Sequence, residues 1–130
     1  MSIAYWCILI AAVLPYVWVG FAKSGAAGYN NKDPRGWLAK QDNYRVRNAN
    51  GAHLNAFEAF PAFAAGVLMA QLASVDPGLV SMLAIAFVVL RVVHGIVYLA
   101  GAHAIRSLVW LGGLACVLAL MASAALKVAT

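Results

Sequence analysis

The chain has 130 residues, 65% of them hydrophobic and only 10% charged, with a formal net charge of +5. A soluble domain carries roughly 25% charged residues, so this balance excludes an ordinary water-soluble fold and points to an all-α integral membrane protein. The length allows one domain of about four spans at roughly 20 residues each.

The first apolar run covers about residues 3–22. It begins with no Lys or Arg before it and exceeds the roughly 7–15 residues of a signal-peptide core, so a retained first span is expected. Pro15 inside it predicts a kink or a freed carbonyl. Tyr5, Trp6, Tyr16 and Trp18 suit the membrane–water interface. Residues 23–47 then form a polar connection with Gly25, Gly28, Asn30, Asn31 and the pair Asp33-Pro34, which reads as turns. Span two is expected at about 48–73 and is followed by the link Ser74-Val75-Asp76-Pro77-Gly78. Asp76 before Pro77 predicts the start of span three, which extends over about 78–100. Residues 101–106 form a further link, and span four covers about 107–126.

The basic residues are concentrated in the first connection: Lys23, Lys32, Arg35, Lys40, Arg45 and Arg47. Arg106 lies in the third link, and the second has none. The positive-inside rule therefore predicts loops one and three in the cytoplasm and both termini on the opposite side. The same distribution accounts for the net charge without nucleic acid, because no basic face interleaved with aromatics is present. Cys7 and Cys116 lie singly in apolar runs and read as small buried hydrophobes. The three histidines share no face, so no metal site is expected.

Few polar side chains remain inside the spans. They are Asn48, Asn55 and Glu58 on span two, and Arg91, His94 and Tyr98 on span three; Arg106 and Ser107 open span four. An ionisable group inside a membrane is costly and normally faces the bundle interior with a partner. At 100° per residue, the span-two residues fall within roughly 80° and the span-three residues within roughly 60°. Glu58 lies roughly 15 Å in from Asn48, and Arg91 roughly 14 Å in from Ala100, from the same side. A buried Glu58–Arg91 ion pair is therefore expected. The crowding of further polar groups around it predicts a pocket for an anionic or zwitterionic ligand. His53 points away from this face, His103 reads as a solvated link residue, and Phe57, Phe60 and Phe63 read as packing or lipid-facing residues.

Three stretches carry a family resemblance. "AHLNAFEAFPAF" (52–63) resembles the second-helix motif of the MAPEG proteins, the membrane-associated proteins in eicosanoid and glutathione metabolism. "RVVHGIVYLAGAHAIRSLVW" (91–110) resembles their third- and fourth-helix signature, and "NNKDPRGWL" (30–38) is similar to the bacterial branch. The resemblance implies a homotrimer of four-helix subunits in the lipid bilayer, with glutathione as cosubstrate bound between neighbours. By motif position, Asn55, Glu58, Arg91 and His94 would bind glutathione, while Arg106, Ser107 and Tyr98 would act on its thiol. The implied activity is a membrane glutathione transferase or glutathione-dependent peroxidase acting on lipophilic electrophiles. Two alternatives stand beside it: a small four-span proton-coupled multidrug transporter using Glu58, and a noncatalytic member that binds glutathione or lipid.

Overall fold

The computed structural model describes residues 1–129. Five α-helices follow one another, α1 (Ser2–Ser24), α2 (Pro34–Ala39), α3 (Tyr44–Leu72), α4 (Pro77–Leu99) and α5 (His103–Val128). There is no strand among the described residues.

Each long helix has a physical reason for its start and extent. Asp76 caps α4, its Oδ2 accepting from the Leu79 N–H at 2.9 Å, with Pro77 at the first helical position. This is the start expected from Asp76-Pro77. Asn43 caps α3 by accepting from the Arg45 N–H at 2.9 Å, so this helix begins four residues before the expected boundary. Gly101, at φ +75°, turns the chain after α4, and α5 begins at once at His103. Arg106 therefore sits on the first turn of α5 and not in a link. Helix α1 continues through Pro15.

The first connection differs most from expectation. Asp33 and Pro34 open a short helix and not a bare turn: Asp33 Oδ1 accepts from the Gly36 N–H at 3.1 Å, and Pro34 stands at the first helical position. Leu38 and Trp37 pack beneath this segment against Ala22, Val46 and Ala49. Asn43 Nδ2 ties the end of the connection to the Gly25 carbonyl at 3.3 Å.

Helices α1, α4 and α5 are each long and apolar enough to cross a membrane. Their 23 to 26 residues reach past a hydrocarbon layer of about 30 Å. Helix α3 is longer, at 29 residues, but carries the polar groups. It packs against α1, α4 and α5.

The core is built on small residues and one aromatic stack. Ala4, Cys7 and Ala11 of α1 share a cluster with Phe63, Val67 and Ala70 of α3, Val80, Ala84 and Phe87 of α4, and Cys116, Val117 and Leu120 of α5. The Phe63 and Phe87 rings lie 3.9 Å apart and 10° from parallel, both fully buried. Both cysteines are free and buried. Gly95 marks a close approach: a Cβ there would run into the Trp18 indole, so α1 and α4 meet through that glycine. Tyr5 donates to Gln71 Oε1 at the far end of the bundle.

Candidate functional site

Arg91 is the deepest charge in the bundle. It is 5% exposed, and its Nη2 donates to Asn55 Oδ1 at 2.7 Å. Glu58 lines the same cavity as Arg91 but forms no ion pair with it. The expected Glu58–Arg91 bridge is thus replaced by an Asn55–Arg91 hydrogen bond. Helical geometry explains the change. The buried seam of α3 runs through Ala49, Ala52, Ala56 and Phe63. Asn55 borders that seam, whereas Glu58 lies roughly 60° further round and away from it. Glu58 consequently stands exposed on the flank of the isolated subunit.

Two adjoining chambers run between α3, α4 and α5. The lower one, about 180 Å³, has Asn55, Glu58 and Arg91 with a wall of Ala59, Ala62, Phe87, Gly113, Leu114 and Val117. The upper one, about 230 Å³, is lined by Asn55, His94, Tyr98, Arg106, Ser107 and Trp110. Asn55 and Trp110 belong to both, so they form the neck between a largely apolar chamber and a polar one. Adjacent polar and apolar compartments suit a ligand with a charged part and a reaction partner drawn from lipid.

The upper chamber has an ordered interior. The Arg106 guanidinium carbon lies 4.4 Å from the centre of the Tyr98 ring. His94 meets the same ring edge-on, with centroids 5.6 Å apart at 76°. His94 is 2% exposed, and its Nδ1 has no hydrogen-bond partner among the described residues. Buried polar atoms are normally paired, so this unpartnered nitrogen is unusual at the wall of the chamber. Ser107 donates its hydroxyl to the His103 carbonyl one turn back, at 3.1 Å. To serve a bound sulfur it must rotate away from that carbonyl.

Of the eight polar residues singled out from the sequence, seven line one or both chambers, and Asn48 lines neither. Nor does His53 line them: its Nδ1 donates to the Pro15 carbonyl at 2.8 Å and joins α3 to α1. Neither cysteine lines the chambers, and among the described residues no cluster of His, Cys, Asp or Glu could hold a metal. Two contributors were missed. Trp110 follows Arg106 by four residues and so shares its face of α5. Gly51 precedes Asn55 by four and Glu58 by seven, which places it on the polar face of α3. Both were readable from spacing, but an isolated Trp or Gly draws no attention beside charged neighbours.

Comparison with protein-family models matches the MAPEG family over residues 3–126, nearly the whole chain. Comparisons with curated proteins and with solved structures gave no match. The family match and the three apolar helices agree with one another. This integral membrane protein belongs to the MAPEG family.

Proposed function

We propose that this protein is a membrane glutathione transferase or glutathione-dependent peroxidase acting on lipophilic electrophiles. The observation that carries the reading is the polar upper chamber. It holds the cation Arg106 with Ser107, His94, Tyr98 and Asn55, and no Asp or Glu lines it among the described residues. Such a site favours an anionic ligand, and family membership supports a ligand from glutathione metabolism.

The chemistry follows from charge. The thiolate is the nucleophile, and a free thiol has a pKa near 8.5. Arg106 lowers that value by favouring the charged form, and Ser107 donates a hydrogen bond to the sulfur once it has turned from the His103 carbonyl. Asn55, Glu58, Arg91 and His94 hold the charged ends of the peptide. Tyr98 shapes the floor beneath Arg106. The electrophile enters from lipid, so partitioning raises its local concentration and the cleft supplies proximity. In conjugation the sulfur–carbon bond forms as the leaving group departs or a double bond takes up the electron pair. In peroxide reduction the thiolate attacks oxygen, the O–O bond breaks to release an alcohol and leave a sulfenic acid, and a second glutathione thiol displaces water from that sulfur to form the disulfide.

We place the working unit as a homotrimer with four spans per subunit. The exposed carboxylate of Glu58 supports this: at the open side of the lower chamber an acid at that depth would be costly if left uncovered, and a neighbouring subunit would cover it. In this arrangement α3, as span two, crosses the membrane beside α1, α4 and α5, loops one and three face the cytoplasm, and a water-soluble thiol enters from that side.

The experiment is thiol dependence on purified protein in detergent. Glutathione binding is measured alongside turnover of halonitroaromatic and hydroperoxide substrates. Turnover that needs glutathione is expected; binding of glutathione without turnover of any electrophile would reduce the protein to a binding member, and no binding would remove the reading.

A further inference from the structure

A guanidinium at the rim of a membrane pocket can be held in two ways. A carboxylate partner fixes it well but occupies its N–H donors and offsets its charge. An aromatic face holds it through the ring quadrupole and leaves the donors free for another acceptor. Arg106 is held in the second way, 4.4 Å from the Tyr98 ring centre, in a chamber that no Asp or Glu lines.

The ring has its own seat. A Cβ built on Gly51 would overlap the phenol oxygen and two adjoining ring carbons of Tyr98. Tyr98 therefore lies directly against the bare backbone of α3, and any side chain at position 51 would displace it. His94 packs edge-on, with ring centres 5.6 Å apart. The ring contacts Gly51 and His94, and Arg106 lies over its face.

We propose that Tyr98 is a shelf that positions Arg106, and that Gly51 is the residue that makes room for the shelf, so that Arg106 keeps its charge and its donors for an anionic sulfur in the cleft. Gly51 acts only through Tyr98 and is a positioning residue. The functional value of this arrangement rests on the glutathione reading above, but the arrangement itself does not.

The test separates the two. The first measurement is the rate at which phenylglyoxal modifies Arg106 in the purified protein, read by peptide mass spectrometry without glutathione. A cation–π contact is worth about a factor of 3 to 30 in equilibrium, so Tyr98→Leu should speed modification by about that factor. Tyr98→Phe keeps the ring and should stay within about twofold of the parent. Gly51→Ala should resemble Tyr98→Leu, and Gly51→Ala/Tyr98→Leu should be no faster than Tyr98→Leu alone, since the shelf is already gone. The second measurement is the thiolate absorbance of bound glutathione against pH, which should move toward the free thiol in the same order of variants. Equal modification rates in the parent and Tyr98→Leu would overturn the shelf. A Tyr98→Leu effect with none from Gly51→Ala would overturn the role of Gly51. If Gly51→Ala does not fold, the Tyr98→Leu and Tyr98→Phe pair still decides the shelf. Absence of glutathione binding in the parent would defeat the proposed activity, while the modification rates would still decide the positioning.

Discussion

The Asn55–Arg91 hydrogen bond makes the sharpest claim about stability. Arg91 is 5% exposed and makes one side-chain hydrogen bond among the described residues, the 2.7 Å contact with Asn55 Oδ1. Asn55→Leu keeps the branching at Cγ, with some added volume, and removes the acceptor. A hydrogen bond to a charged group is worth about 1.5–3 kcal/mol, and stranding the buried donor forfeits it. The expected loss is therefore about 2 kcal/mol, with any shortfall coming from Arg91 turning toward Glu58 across the lower chamber. Repeating the substitution in a Glu58→Gln background closes that route and should enlarge the loss. Asn55→Leu/Arg91→Met replaces both partners by apolar groups and should recover most of the stability, because an apolar pair of similar shape is often neutral where a broken polar pair is not. The assay is reversible unfolding in mixed micelles with rising dodecyl sulfate, followed by far-ultraviolet circular dichroism. The decisive quantity is the coupling energy of the double-mutant cycle, expected to exceed about 1 kcal/mol. Asn55→Leu within about 0.5 kcal/mol of the parent, or a coupling energy near zero, would refute the reasoning.

Three further outcomes are expected. Arg106→Ala should return the titration of the bound glutathione thiol toward the free value near 8.5 and slow conjugation more than it weakens binding, as read by thiolate absorbance and turnover. Glu58→Gln should change unfolding of the isolated subunit by under about 1 kcal/mol, since the residue is exposed and unpaired with Arg91; its effect should appear instead in glutathione affinity and in oligomer retention by size-exclusion chromatography. Cysteines introduced at positions 2 and 130 should react with an impermeant maleimide from the side opposite loop one, with little background from the buried Cys7 and Cys116; labelling of either from the cytoplasmic side would reverse the topology.

Much of this fold was legible because membrane spans leave a coarse signal. The apolar runs gave the long helices to within a few residues, and Asp76-Pro77 gave an N-cap that the structure contains. The misjudged boundaries have local causes. Asn43 and Asp33 cap helices in polar sequence, where no hydrophobic periodicity advertises a helix. In the site, spacing placed eight polar residues on three helices, and all but Asn48 line the chambers. Spacing did not decide which partner Arg91 takes. Asn55 and Glu58 share one face within roughly 60°, and only the position of the α3–α4 seam selects between them. That seam is set by Ala49, Ala52 and Ala56, whose small side chains carry no chemical signal in the sequence. Gly51 escaped notice for the same reason: its importance is the space it leaves for Tyr98.

In the proposed reading, the two arginines of the cleft divide one side-chain chemistry into two tasks through their surroundings. Arg91 is almost wholly enclosed and shares its cavity with Glu58 and Asn55. A cation in that position contributes fixed geometry: it ties α4 to α3 and presents donors at the base of the polar region. Arg106 stands half-buried on the first turn of α5, above an aromatic face and away from any carboxylate. No Asp or Glu among the described residues lines its chamber, so in the proposed reading its counter-ion is an anion brought by a ligand. A guanidinium that binds its counter-ion only in the complex favours the charged form of that ligand, which is what activation of a thiol requires. Exchanging the two settings should exchange the two tasks. A carboxylate beside Arg106, as in Ser107→Asp, would give it a permanent partner and raise the bound thiol's pKa, whereas the same charge added near Arg91 would leave that titration almost unchanged.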